Sequence, residues 1–174
     1  SRCQQVKLQL LPAFQIAQEL RARSSADGDV AKEVARLSAG RIGWAFQAVA
    51  RPDFLQRRTE RLQVFEEMLH GSLEQRLSYA ADLARQLAAD REAARQEIGV
   101  WLEWWRDVLV VKGGGMSFVT NLSRMDTLDG VAEKLSLAQI SNAIREVFDT
   151  LRCIERNVNL RMALDQLMMV LPRV

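Results

Sequence analysis

The chain has 174 residues, of which 48% are hydrophobic and 26% charged, with three prolines and nine glycines. It can bury one moderate core or two small ones, and its composition shows no sign of disorder. The formal net charge is +2, and acidic residues are interleaved among the arginines, which excludes a strong phosphate-binding stripe. No apolar run approaches the roughly 20 residues that are needed to cross a bilayer. We therefore expect a cytoplasmic protein without membrane contact.

Good helix formers, chiefly Ala, Leu, Arg, Glu and Gln, fill the polar stretches of the sequence, so we expect an all-α protein. Three short helices are predicted first. One opens at Pro12, the next lies between the loop around Gly28 and the terminator Gly40, and the third stops at Pro52, which disfavours a helical residue before it. This pattern predicts a small three-helix domain over residues 1–51.

After Pro52 the predicted helices become longer, which indicates a second domain. The first of them ends near His70. Ser72 with Gln75 is a capping-box pair that opens the following helix. Asp90 can cap the third, which ends at the three glycines after Lys112.

The remainder of the chain predicts two or three more helices. The segment up to Thr127 has the composition of a loop, and a short helix follows it. Ser136 with Gln139 forms a second capping-box pair, which opens the longest amphipathic run. Asn159 can cap the last helix. The sequence therefore predicts a helical bundle over residues 52–174.

The sequence offers little catalytic chemistry. His70 is the only histidine and lies at a predicted helix end, where a surface cation is typical. The glycines after Lys112 follow a helix and lack the order of a phosphate-binding loop. Cys3 and Cys153 have no metal or redox spacing, which fits reduced thiols, and no helical four-carboxylate metal motif is present. We therefore expect no catalysis, no metal and no cofactor bound by this chain.

The tryptophans Trp101, Trp104 and Trp105 lie close together in the sequence. On a helix, Trp101 and Trp105 share a face while Trp104 points partly elsewhere. Two interpretations are open. Large aromatic rings can fill a core, or Trp104 can belong to a subunit contact, because tryptophan is enriched among residues that dominate binding.

Three segments are similar to the bacterial clamp-loader family of AAA+ proteins and occur in the family's order. They are Ser1-Arg2-Cys3, Gly40-Arg41-Ile42-Gly43-Trp44-Ala45, and Asn157 to Leu164 followed by a Leu-Pro ending. Within this family the chain most resembles the delta-prime subunits of DNA polymerase III. The resemblance implies the end of an ATPase domain over residues 1–11, a three-helix lid domain up to residue 51, and a collar domain of about five to six helices over residues 52–174.

In this family a Ser-Arg-Cys motif ends the ATPase domain, and its arginine acts as a finger on ATP bound by the neighbouring subunit. The matching residues are Ser1, Arg2 and Cys3. A guanidinium supplied in trans neutralises charge that develops on the transferred phosphoryl group. The resemblance therefore implies that Arg2 is an arginine finger for ATP on a neighbouring subunit.

Subunits that use ATP carry a second-sensor arginine three residues after the glycine that starts the third lid helix. The glycine matches Gly40, and the sensor position is Gly43. A glycine supplies neither charge nor a side-chain donor. Arg41 lies two positions too early, about 200° around the helix, and is interpreted as a surface or interdomain charge. The resemblance implies a subunit that donates a finger without hydrolysing ATP.

The collar resemblance rests on Trp104 to Leu109, Val119 to Asn121 and Asn157 to Leu164. Family collars pack side by side in a ring, and amphipathic helices with additional apolar surface suit that role. The implied partners are the gamma/tau and delta subunits, with the sliding clamp and primed DNA reached through the full complex. The residues expected at partner contacts are Trp104, Asn157, Asn159 and Arg161.

The sequence therefore predicts a non-catalytic scaffold that helps assemble the clamp loader, which loads the sliding clamp onto primed DNA during replication. Two alternatives stay open. The chain could be the C-terminal region of an ATP-hydrolysing gamma/tau-type subunit, which Gly43 disfavours, or an unrelated helical adaptor or regulatory domain.

Overall fold

A computed structural model of the protein describes residues 9–24, 26–156 and 158–174, apart from the side chain of Pro52. Within these ranges the chain forms nine α-helices and two short 3-10 helices and contains no β-strand. The described part of the protein is therefore all-α, and the predicted fold class is confirmed.

The chain divides into two compact units inside its fourth helix, α4 (Pro52–His70). Of the described residues, the first unit contains those up to Gln56 together with Thr120–Ser123, and the second contains those of Arg57–Val119 and Arg124–Val174. The predicted boundary at Arg51 lies just before this division. The proline that marks it in the sequence is the first residue of α4, a position that favours proline.

Three short helices form the first unit: α1 (Ala13–Arg23), α2 (Gly28–Leu37) and α3 (Ile42–Ala50). Each of them packs against the other two. Their apolar faces meet in a small core built from aliphatic side chains, namely Ile16, Leu20, Ala31, Val34, Ala35, Ala45 and Ala48. The predicted three-helix arrangement is therefore confirmed.

The turn between α2 and α3 depends on Gly40. Its φ angle is +86°, which lies in the left-handed region that favours glycine. The N–H of Leu11 donates to the Gly40 carbonyl at 3.0 Å, and a Cβ added at Gly40 would lie only 2.6 Å from the Cβ of Leu10. Both the backbone conformation and the close approach of the segment before α1 therefore require glycine.

Replacing Gly40 with alanine is expected to lower the free energy of unfolding of the first unit by about 1–2 kcal/mol, since the new Cβ meets both a strained φ and Leu10. Gly43→Ala is the matched control. Gly43 lies inside α3 with no atom within 4 Å of an added Cβ, so alanine there is expected to be neutral or stabilising by up to about 1 kcal/mol. Urea unfolding followed by circular dichroism measures both, and equal destabilisation by the two changes would contradict the role of Gly40.

Six helices contribute to the second unit: α4 from Arg57 onward, α5 (Leu73–Leu87), α6 (Arg91–Lys112), α7 (Met125–Lys134), α8 (Leu137–Glu155) and α9 (Leu160–Val170). Helix α6 packs against α5, α7 and α8, while α9 packs against α5 and α8. The predicted bundle is therefore confirmed.

Most of these helices begin where the sequence predicts. Reciprocal capping boxes open α5 and α8, through Ser72 with Gln75 and Ser136 with Gln139. The side chains of Asp90 and Asn159 open α6 and α9. Each accepts a hydrogen bond from the backbone N–H of the third residue of its helix, at 2.9 and 3.2 Å. These caps satisfy N–H groups that have no partner within the helix.

The segment predicted as a loop up to Thr127 is more ordered than expected. It contains two 3-10 helices, Met116–Phe118 and Leu122–Arg124, and α7 already begins at Met125. After Gly114, which has a φ of +77°, hydrogen bonds between residues three apart hold the first of these turns. Such short turns need no periodic pattern of apolar residues, so they are difficult to predict from the sequence.

The three tryptophans of α6 fill the centre of the second unit, and each is 0% exposed. Trp101 stacks on Phe65 with ring centroids 4.7 Å apart. Trp104 meets Phe65 and Trp105 edge-on, at 5.5 and 5.0 Å. The suggested partner contact at Trp104 is corrected here: α4 covers the side of α6 on which Trp104 lies, so its side chain belongs to the core.

Candidate functional site

A buried carboxylate joins separate parts of the second unit. Glu66 of α4, 7% exposed, accepts a hydrogen bond from Nε1 of Trp104 at 2.9 Å and one from Nη1 of Arg124 at 3.2 Å. Nη2 of Arg124 also donates to the carbonyl of Thr59 at 3.0 Å. Both carboxylate oxygens of Glu66 are thus engaged, which indicates a structural role, because a general base needs an oxygen open to substrate.

A second buried carboxylate, Glu97 of α6, lies beside α4, with Nε of Arg61 3.1 Å from its Oε2. Burial raises the pKa of Glu97, and the positive charge of Arg61 opposes this rise. Burial, together with the charge of Glu97, also raises the pKa of Tyr79. A perturbed carboxyl is a catalytic candidate when it faces a cleft, and Glu97 does not line the cleft described below.

The second-sensor position implied by the resemblance lies near the start of α3. Gly43 is the second residue of that helix, is exposed, and has no atom within 4 Å of an added Cβ. A long side chain would fit there, and this chain has none. Arg41 instead donates through Nε to the carbonyl of Ser38 at 3.0 Å, which satisfies a carbonyl just beyond the end of α2.

Two of the predicted site residues, Arg2 and Asn157, lie outside the described residues. Two more of them, Asn159 and Arg161, come together at a cleft of about 440 Å³ in the second unit. This basic cleft lies where α5 and α8 end and where α6 and α9 begin.

The interior of the basic cleft is apolar and its edge is positively charged. The apolar lining comes from Ala81, Ala84, Leu87, Ala88, Ala94, Ile154, Val158 and Leu160. The charged residues among the described lining are Arg85, Arg91 and Arg161, all exposed, and none of the described lining residues is a carboxylate. The cleft therefore offers guanidinium donors around a hydrophobic interior.

Two of the three arginines also contact an aspartate on their own helix. Arg85 pairs with Asp82, and Nε of Arg161 lies 2.6 Å from Oδ2 of Asp165. The side chains of Arg85 and Arg161 nevertheless remain 78% and 45% exposed. Exposed ion pairs of this kind contribute little energy, and a guanidinium has five N–H donors. Both arginines therefore keep donors for a ligand.

A second surface feature is the outer face of α9. Met162 and Met169, two helical turns apart, are 69% and 60% exposed, and Val170 is 40% exposed. On the adjacent helix α8, Phe148 is 52% exposed. Adaptable methionines on an exposed helix face are typical of protein interaction surfaces.

Catalytic groups are sparse in the described part of the chain. Nδ1 of His70 lies 2.6 Å from the carbonyl oxygen of Val174, which gives this exposed ring a structural partner. Within residues 9–24, 26–156 and 158–174 no group of three or more His, Cys, Asp or Glu side chains could hold a metal ion. In the same ranges no helix combines the length and the apolar character needed to cross a membrane.

Comparisons of the chain with protein-family models, with curated proteins and with solved structures found no match. A function for this chain is therefore inferred from its own sequence segments and surface geometry.

Among the residues at the cleft, Asn159 and Arg161 belong to the partner contacts predicted from the sequence, whereas Arg85 and Arg91 do not. One signal was available for Arg91, which is the first residue of α6. A cation at a helix N-terminus interacts unfavourably with the helix dipole. A residue that local electrostatics disfavours is a candidate for a functional position. The same holds for Arg161, the second residue of α9.

Proposed function

We propose that the chain is the lid and collar part of a delta-prime-like subunit of a bacterial DNA polymerase III clamp loader, and that it acts as a non-catalytic scaffold during DNA replication. The observation that supports this proposal most directly is that Gly43 lies three residues after Gly40, at the position of the family's second sensor. A turn that requires glycine precedes the third helix of a three-helix unit, and the sensor position in that helix bears no side chain.

The second unit supports a scaffold role through its surface. Its core is filled by its own side chains, while Met162 and Met169 of α9 remain exposed outside that core. Helices with one buried face and a second exposed apolar face suit side-by-side assembly in a ring. We therefore assign contacts with gamma/tau and delta subunits to the outer face of α9.

The proposal places ATP on a neighbouring subunit. Gly43 has no side chain with which to contact a phosphate, so this position cannot act as a second sensor for ATP bound by the same subunit. By resemblance, Arg2 supplies an arginine finger to the neighbour. Gly43 argues against the alternative of an ATP-hydrolysing gamma/tau-type subunit.

Co-expression of the chain with bacterial gamma/tau and delta subunits tests the proposal. The wild-type chain is expected to co-purify with them. The double change Met162→Glu and Met169→Glu is expected to reduce recovery at least about tenfold, because it places charges in an apolar contact. Deleting α8 and α9 is a poorer test, since Ile140, Val147 and Leu164 belong to the core.

Val64→Glu with Leu73→Glu is the matched control, because these residues are 44% and 52% exposed on α4 and α5. This control is expected to assemble as wild type does. A folded wild-type chain that fails to co-purify would favour an unrelated adaptor domain instead. Normal recovery of the α9 double variant would move the assembly contact away from α9.

A further inference from the structure

The basic cleft defined by Arg85, Arg91 and Arg161 has no part in the scaffold role assigned to the outer face of α9. We propose that it binds a short acidic peptide segment of a partner protein. An aliphatic side chain of the peptide enters the cleft, and neighbouring carboxylates of the peptide pair with the three arginines. This activity goes beyond the proposed scaffold function and does not depend on it.

Charge is the first argument. The lining residues that the structure describes include three arginines and no Asp or Glu, although 22 acidic residues are spread through the chain. Arg91 and Arg161 also lie at the N-terminal ends of α6 and α9, where the helix dipole adds further positive potential. Guanidinium groups form charge-assisted and often bidentate hydrogen bonds with carboxylates. The edge of the cleft is thus complementary to an acidic ligand.

The apolar interior is the second argument. Ala84, Ala94 and Ile154 of the lining are buried, and the cleft volume of about 440 Å³ lies within the usual range of ligand pockets. A simple anion such as phosphate would leave this apolar surface uncovered. A peptide that combines an aliphatic side chain with carboxylates satisfies both parts of the cleft.

Nucleic acid fits the basic cleft less well. No aromatic side chain is found among the lining residues of the described chain, and single strands are commonly held by base stacking on aromatic rings. Duplex binding needs a longer series of phosphate contacts than three arginines around a cavity can make. The charge and the apolar lining together therefore favour a peptide.

A selection on the full chain tests the proposal. Random dodecapeptides displayed on phage are selected against the immobilised wild-type protein, and enriched peptides are then titrated by fluorescence anisotropy. We expect enriched peptides to carry several Asp or Glu residues beside an aliphatic residue. The triple variant Arg85→Glu, Arg91→Glu and Arg161→Glu is expected to weaken their binding at least about tenfold.

Two further variants make the test specific. The control is a second triple variant, which combines Arg95→Glu, Arg145→Glu and Arg152→Glu. It changes the net charge by the same amount as the cleft variant, at exposed positions that do not line the cleft. Its affinity for the peptides is expected to stay within about twofold of wild type. Ala88→Trp is expected to weaken binding by filling the cleft without changing charge. Circular dichroism confirms that each variant is folded.

Three results would overturn the proposal. The first is a selection that enriches no acidic peptides. The second is equal loss of binding in the cleft and control triple variants. The third is tighter binding of a labelled oligothymidylate than of any selected peptide, with that binding abolished by the cleft variant, which would identify a nucleic-acid site.

Discussion

Replacing Trp101 with alanine is expected to lower the free energy of unfolding of the second unit by about 3–5 kcal/mol. The indole is 0% exposed. It stacks on Phe65 at 4.7 Å and lies 6.2 Å from the ring of Tyr79, so three helices meet at this side chain. Its removal leaves a cavity that the surrounding helices cannot fill completely.

Domains of this size are stabilised by about 5–15 kcal/mol, so the loss of Trp101 would leave a marginally folded bundle. Guanidinium unfolding followed by circular dichroism at the helix band measures the effect independently of tryptophan emission. Phe148→Ala is the control, because this aromatic side chain is 52% exposed on α8, and a change within about 0.5 kcal/mol is expected. A loss below about 1 kcal/mol for Trp101→Ala would show that the bundle does not depend on this ring.

Replacing Glu66 with alanine is expected to destabilise the second unit by about 3 kcal/mol. The change removes the only acceptor shown for the Trp104 indole N–H in the described structure, and it removes the counter-charge of Arg124, which is 18% exposed. Leaving buried donors without acceptors is more harmful than removing both partners of a pair. Glu66→Gln keeps an acceptor for Trp104 and is expected to lose less stability.

The neighbouring residue Glu67 provides the matched control for Glu66. It is exposed on the same helix and accepts a hydrogen bond from Gln63 at 3.0 Å. Glu67→Ala is expected to change stability by less than about 0.5 kcal/mol. Thermal unfolding at equal ionic strength compares the midpoints of the three variants, Glu66→Ala, Glu66→Gln and Glu67→Ala. Equal midpoints for Glu66→Ala and Glu67→Ala would show that the buried carboxylate contributes nothing specific.

The parts of the fold that could be predicted are those decided by neighbouring residues. Capping pairs such as Ser72 with Gln75 act within one helical turn, so they can be read from the sequence before any packing is known. The positive φ of Gly40 belongs to the same class, because only glycine adopts it without strain. Helix identity and the three-helix start of the chain followed from such local signals.

The basic cleft could not be predicted in full, because its lining comes from two distant stretches, residues 81–94 and 154–161. Sequence periodicity shows that α5 and α9 each have an apolar face, but it does not show that these faces meet. For the same reason, the sequence could not show whether Trp104 is buried, since its burial depends on how α4 packs against α6. Tertiary pairing of helices decides both features.

The carboxyl of Glu97, buried beside Arg61, couples folding of the second unit to proton uptake. In the unfolded chain its pKa is about 4.5, and burial raises it in the folded state. Between these two values the folded state binds more protons than the unfolded state, so stability falls as the pH rises. The contribution of Glu97 is complete below its unfolded pKa and is lost as the pH passes its folded pKa. Lowering the pH through the folded pKa of Glu97 therefore increases the contribution of this carboxyl to the stability of the second unit.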